Sequence, residues 1–254
     1  MKRKILLGVG LLAVYMLALV ANVPATQVLP RATPLLEARG VRLAASGIEG
    51  TLWSGRAASS SVNGIAVGQS EWSLSPWRLL FGEAGLGFKL APEGGYLSGD
   101  VRLGSGSVAV AGVEGELPAT AVLAGLPRLP MPVEVGGTVM VQLKALDWAG
   151  GKLEAADGAI VWRQAELRSP MPARLGDLKV ELAPGPNGSL LGKLSDGGGP
   201  LGIKGDVTFG NGSYRINAVL TPRANTDPAL AQALTLLGAP DSQGGYRLTW
   251  AGRI

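Results

Sequence analysis

The sequence predicts a mainly β protein: an N-terminal transmembrane helix, then an antiparallel, twisted β-sheet domain with one short helix near the C-terminus. Three observations carry this. An uncharged apolar run from Ile5 to Ala21 follows Lys2, Arg3 and Lys4. Beyond residue 39, apolar residues alternate with polar or small ones in many short runs, the period of a half-buried strand. Glycine-rich turns separate these runs, and only one stretch carries a full set of helix signals.

The first element is the membrane span, residues 5–23. As a helix it is about 28 Å long at about 1.5 Å per residue, close to a hydrocarbon core of about 30 Å. A cleaved signal peptide is the competing reading, but its apolar region is shorter and ends in a small-x-small site. Here the one passable site, Val23-Pro24-Ala25, has proline in the middle, so an uncleaved signal anchor is expected. A pilin-like start lacks its Gly-Phe cleavage point and its glutamate. The positive-inside rule leaves residues 1–4 in the cytoplasm and the rest of the chain across the membrane. Residues 24–38, with Pro24, Pro30 and Pro34, read as a proline-rich linker with a short helix after Pro34.

The fold proper is expected over residues 39–254. Alternation appears at Val41 and Leu43, at Leu86, Phe88 and Leu90, at Val101 and Leu103, and at Val108 and Val110. It continues at Val139, Val141 and Leu143, at Leu178, Val180 and Leu182, and at Ile203, Val207 and Phe209. The last runs are Tyr214, Ile216 and Leu220, then Tyr246, Leu248 and Trp250. Turn signals such as Gly104-Ser105-Gly106, Gly150-Gly151 and Gly210-Asn211-Gly212 lie between them, and short connections of this kind join antiparallel strands. In "VMVQLKALDW" the apolar residues change parity between Leu143 and Leu146, which predicts a bulge near Lys144 and Ala145.

Helix is the minority element. In "TDPALAQALTLLG", Asp227 is placed as N-cap, Pro228 at the first helical position, Leu230, Leu234 and Leu237 as the apolar stripe, and Gly238 at C′. Single turns are expected in "SPWRLLFG" and "PATAVLAGL". A faint duplication sets Gly50-Thr51, Trp53 and Trp72 against Gly137-Thr138, Trp148 and Trp162. It allows two related β units with a boundary near residues 126–137.

Composition then limits the function. The chain has 254 residues, 46% of them hydrophobic, enough for a substantial core. Its 39 glycines are roughly twice the usual share of about 7% but show no Gly-X-Y period, so they belong to turns and bulges. The net charge of +4 is mostly a topology signal: without Lys2 to Lys4, twenty basic residues face nineteen acidic ones. No basic run exists beyond residue 4, so nucleic-acid binding has no electrostatic footprint. With no histidine and no cysteine, Ser-His-Asp and Cys-His nucleophiles and the usual zinc ligand sets are impossible. No Ser-x-x-Lys, phosphate-binding loop or calcium loop is present, so no enzyme activity, catalytic residue, cofactor or metal is assigned.

The tryptophans remain as candidates for a partner or groove surface: Trp53, Trp72, Trp77, Trp148 and Trp162. At strand spacing, large aromatics are mostly core or cross-strand partners. Trp72 and Trp77 flank a proline corner, where one is expected to be partly exposed. In "EGTLWSGRA", a continuous strand would put Thr51, Trp53, Gly55 and Ala57 on one face, with the Trp53 indole over the small residues.

Several segments together resemble a known family: "GTLWSG", "WSLSPWRLLFG", "GGTVMVQLKALDWAGGKLEAADGAIVWRQAEL", "DGGGPLGIKGDVTFGNGSYRINAVLTPR" and "LTLLGAPDSQGGYRLTWAGRI". In this order, behind a signal anchor, they are similar to the type II secretion system protein N (GspN) family of the general secretion pathway. The resemblance implies a single-pass protein of the cell inner membrane with its C-terminal domain in the periplasm. It implies a non-enzymatic accessory or assembly component of the apparatus that exports folded proteins across the outer membrane, with the inner-membrane platform and the secretin as partners. The alternative from the residues alone is a membrane-anchored β-groove protein that binds or transfers membrane lipid.

Overall fold

The structure, a computed structural model, describes residues 22–38, 40–79, 81–125, 133–150, 152–169, 172–210, 212–224, 226–235 and 237–253. The span expected over residues 5–23 lies outside the described residues except at its last two positions. Among the described residues no helix is long and apolar enough to cross a membrane. The chain divides into two compact units between Glu93 and Gly94. Most of the proline-rich stretch of residues 126–137 falls outside the described residues.

In the first unit, helix α1 (Ala25–Glu37) precedes strands β1 (Leu43–Gly50), β2 (Ser54–Val62), β3 (Ile65–Leu74) and β4 (Ala84–Ala91). Each strand pairs antiparallel with the next. The residues read as a linker are thus mostly helical, and more than one turn is formed. Pro30 and Pro34 both lie inside α1, each removing an N–H from the helical ladder. Arg31 Nη1 reaches back to the Gln27 carbonyl at 2.5 Å, and the Ala38 N–H donates to the Pro34 carbonyl at 3.0 Å. The helix runs back beside β1, starting from a bridge between Pro24 and Thr51.

The "EGTLWSGRA" stretch is not a continuous strand. Gly50 pairs with Gly55, so Thr51 to Trp53 form the reversal between β1 and β2. The loop is closed by the Thr51 N–H on the Ser54 carbonyl at 2.9 Å. Gly50, at φ 91°, occupies backbone space that a side chain would strain. Trp53 thus sits in the loop, with its carbonyl taking the Leu74 N–H at 2.6 Å, and another indole covers Gly55: that of Trp72, its partner on β3. The β2–β3 turn is a two-residue Asn63-Gly64 loop with both φ angles positive, a strong hairpin signal that the alternation left unused. Strand β3 passes through a one-turn helix, α2 (Pro76–Leu79), into β4.

The second unit contains β5 (Tyr96–Gly104), β6 (Ser107–Pro118), β7 (Glu134–Ala149), β8 (Lys152–Ser169), β9 (Ala173–Pro184), β10 (Leu190–Asp196), β11 (Leu201–Gly210), β12 (Ser213–Pro222) and β13 (Tyr246–Arg253). These nine strands also pair in chain order, all antiparallel. Every alternating run from Leu86 onward lies in a strand. The parity break has the expected cause: the β7–β8 register shifts between Leu143 and Ala145, leaving Lys144 as the bulged residue. Both expected single turns form, as α2 and as α3 (Ala119–Ala124).

Helix α4 (Pro228–Thr235) matches the best helical signal. The Asp227 carbonyl takes the Ala231 N–H at 2.9 Å, which puts Asp227 at the N-cap. Leu230 and Leu234 are buried against Ala165, Ala173, Leu175, Leu201 and Ile203, whereas Leu237 lies beyond the helix and is 42% exposed. Each buried leucine contributes about 1.5–3 kcal/mol. A second cluster joins Ala119 of α3 to Val135 and Val139, and Trp162 packs against both clusters. The two short helices therefore lie over apolar parts of the sheet in this unit.

Candidate partner-binding groove

The five tryptophans do not converge. Trp53 and Trp72 lie together in the first unit, where the Trp72 indole N–H donates to the Leu52 carbonyl at 3.2 Å. Trp77, on α2, is 73% exposed. In the second unit Trp162 is a core residue whose indole N–H donates to the Gly136 carbonyl at 2.9 Å. Trp148, near the end of β7, is 37% exposed and lines an open groove of about 670 Å³.

That groove follows from register. The β7–β8 turn, the β9–β10 loop, the β11–β12 turn and the end of β13 all fall at one end of this sheet, because strands paired in order reverse there together. On β11 to β13, Thr208 is opposite Arg215, and Arg215 is opposite Ala251. Gly210 is opposite Ser213, and Ser213 is opposite Arg253. These positions are two apart on each strand and so share one face. Trp148 and the Pro186–Gly188 turn form the remaining side.

The lining mixes apolar surface with polar and basic groups. Arg215 and Arg253 bring two guanidinium groups, Thr208 and Asn217 add a hydroxyl and an amide, and no acidic side chain is among the described lining residues. Asn217 is oriented by Asp206, with Nδ2 3.3 Å from Oδ2. Tyr214 lies over Gly252, where a Cβ would fall 2.6 Å from the Tyr214 hydroxyl. That hydroxyl accepts the Trp250 indole N–H at 3.2 Å. An aromatic laid over a cross-strand glycine fills the gap left by the missing side chain, here on the outer strand β13 and again at Gly55 of β2 with Trp72. Among the described residues, no strand pairs with the far side of β13.

Sequence reading missed Arg215, Asn217, Arg253 and Tyr214, because charged and polar residues on alternating strands look like an ordinary solvated face. Only the paired register brings three such faces beside Trp148.

Electrostatic strain in the described residues is structural. Burial pushes the Asp196 carboxyl up, but the Ile203 N–H at 3.0 Å, Arg223 at 2.7 Å and the Gly198 N–H at 2.9 Å hold it below the usual carboxylate range. Asp196 and Arg223 clasp the β10–β11 loop to the segment after β12. The Asp241 carboxyl is lowered by the N–H groups of Gly245 and Gln243, which close the turn before β13. Among the described residues no three acidic side chains gather as a metal cage.

Residues 41–249 match the family Type II secretion system (T2SS), protein N. The chain is 31% identical over 271 residues to the type II secretion system protein N of Aeromonas hydrophila, with both chains covered in full. It is 27% identical over 274 residues to the protein of that name from Vibrio cholerae, again with both covered in full. The protein of that name from Klebsiella pneumoniae is 28% identical over 262 residues, covering 99% of this chain and 97% of its own. No solved structure gives a significant match. The family match over residues 41–249 and the full-length similarity to these relatives show that the chain belongs to the type II secretion system protein N family.

Proposed function

We propose that the chain is a non-enzymatic assembly component of the type II secretion apparatus. In this reading residues 5–23 hold it in the inner membrane as a single pass and residues 39–254 lie in the periplasm. The anchor raises its local concentration near membrane-bound partners, and the second unit offers a binding surface. The support for the topology is the uncharged run behind Lys2, Arg3 and Lys4.

The single observation that carries the binding role is the outer edge of β13, unpaired among the described residues and bordering the basic groove. An extended segment of another secretion component adds there as a further strand, with main-chain bonds giving affinity. Acidic side chains on that segment suit Arg215 and Arg253. The two guanidinium groups in this groove suit an acidic peptide better than an acyl chain as its occupant.

The test is a photocrosslinker at Thr249 or Ala251 of β13 in the full chain, in membranes that contain the whole apparatus. An adduct with another secretion component is expected. Recovery of no such component, together with normal export in a deletion strain, would remove the proposal. Lipid co-purifying stoichiometrically with the chain would favour the alternative.

A further inference from the structure

The corner between β3 and β4 reverses the usual arrangement of a surface turn. Its polar groups are used internally: the Ser75 N–H donates to the Gly85 carbonyl at 2.9 Å, and the N–H groups of Phe81 and Glu83 both donate to the Arg78 carbonyl at 3.0 Å. Arg78 also pairs with Glu83 at 3.5 Å. Its apolar side chains point outward instead. Trp77 is 73% exposed, Leu79 50% and Phe81 84%. Single exposed hydrophobics are ordinary, but three within five positions form a patch.

The place of this patch is set by a short chain of bonds. The Val23 carbonyl accepts the Leu52 N–H at 2.9 Å, and Pro24 bridges Thr51. The Leu52 carbonyl accepts the Trp72 indole, and the Trp53 carbonyl accepts the N–H of Leu74, the last residue of β3. Ser75 starts the corner. The segment where the apolar N-terminal run ends is thus bonded into the same end of the first unit that carries Trp77, Leu79 and Phe81.

We infer that this corner is a wedge into the membrane interface, seated in the headgroup region of the same bilayer that residues 5–23 span. The inference rests on the anchor reading proposed above. A span ending at Val23 brings the bilayer surface to this end of the unit. Tryptophan and phenylalanine favour that layer, where an aromatic body meets apolar chains and an indole N–H meets polar groups. Insertion of apolar side chains by about 5–10 Å is typical of interfacial elements. Two attachments, span and wedge, fix the tilt of the first unit on the membrane where a single span leaves it free.

The chain has no cysteine, so one introduced cysteine is a unique label site. The full chain is reconstituted in vesicles of phosphatidylethanolamine and phosphatidylglycerol, with an environment-sensitive fluorophore on Phe81→Cys, Glu93→Cys or Leu12→Cys. Quenching by spin-labelled lipid is then measured. Glu93 lies at the far end of β4, about 25 Å away at about 3.3 Å per residue. The wedge predicts quenching at position 81 by shallow-labelled lipid at least about twofold stronger than at position 93, as for a group inside the headgroup layer. It also predicts loss of that excess in a Trp77→Ser, Leu79→Ser background, whose exposed positions leave the fold intact. Equal quenching at 81 and 93, or an excess that survives the serine changes, overturns it. Position 12 reads the anchor separately. Quenching there by deep-labelled lipid with none at 81 removes the wedge and keeps the anchor. Quenching at 81 with none at 12 keeps the lipid contact and removes the anchor, and quenching at neither removes both.

Discussion

Gly55→Ala is the most direct test of how the first unit is held together. A Cβ built at Gly55 falls 2.9 Å from Trp72 Cε2, closer still to Cζ2, and 2.6 Å from the Glu49 carbonyl oxygen. Ordinary carbon contacts are about 3.5–4.0 Å, so the methyl overlaps two walls by about 1 Å. The indole can tilt, at the expense of its 3.2 Å bond to the Leu52 carbonyl. The backbone of β1 cannot tilt without moving the Gly50–Gly55 pair. Overpacking of this kind costs about 1–3 kcal/mol. At about 1.4 kcal/mol per tenfold, local opening of β2 and β3 rises about 5- to 150-fold. Hydrogen exchange of the full chain in detergent, read on peptides from β2 and β3, measures this without assuming that both units unfold together. In a Trp72→Leu background the alanine should cost less, with a remainder from the Glu49 carbonyl. Unchanged exchange in Gly55→Ala, or the same increase in both backgrounds, would refute the account of Gly55 as a seat for the indole.

Other consequences are as direct. Leu234→Ala should destabilise the second unit by about 2–5 kcal/mol, seen as lost exchange protection in β9 and β11, because the leucine is buried between α4 and these strands. Trp162→Phe should cost about 0.5–1.5 kcal/mol in the same assay by leaving the Gly136 carbonyl without its donor. Because the folded Asp196 carboxyl is held below its ordinary value, its contribution is present above the unfolded pKa and lost as pH falls through the folded one. Asp196→Asn should therefore lower stability by about 1–3 kcal/mol at neutral pH and flatten the acid limb of a pH–stability curve. Arg253→Glu should weaken crosslinking through β13 without changing exchange in the core, since the charge change is confined to the groove.

Much of the fold was legible because one physical pattern, alternation, survives in most strands. It fails in β2, "SGRAASSSV", where serine and alanine occupy both faces and hydropathy has no period to show. It also fails at Trp53. Glycines at 50 and 55 suit a flat strand and a loop equally well in one dimension, and only the Gly50–Gly55 pairing selects the loop. The groove was illegible for a different reason. Arg215 and Arg253 are 38 positions apart, and each looks solvated on its own strand. Their shared face follows from the β12–β13 register, which pairs Ser213 with Arg253 across a connection that contains α4.

By itself the sequence determined the β class, the short helices and a bulge near Lys144 and Ala145, because hydrophobic period, caps and parity are local properties of neighbouring residues; the family came from the resemblance of whole segments in order. The tertiary structure alone decided that Trp72 rather than Trp53 covers Gly55, that Trp162 is core while Trp148 faces a groove, and that the Trp77–Phe81 corner shares an end with Val23. The physical reason is that strand pairing joins residues far apart in the chain. Which face an aromatic occupies changes with a single step of register, and no local pattern records that step.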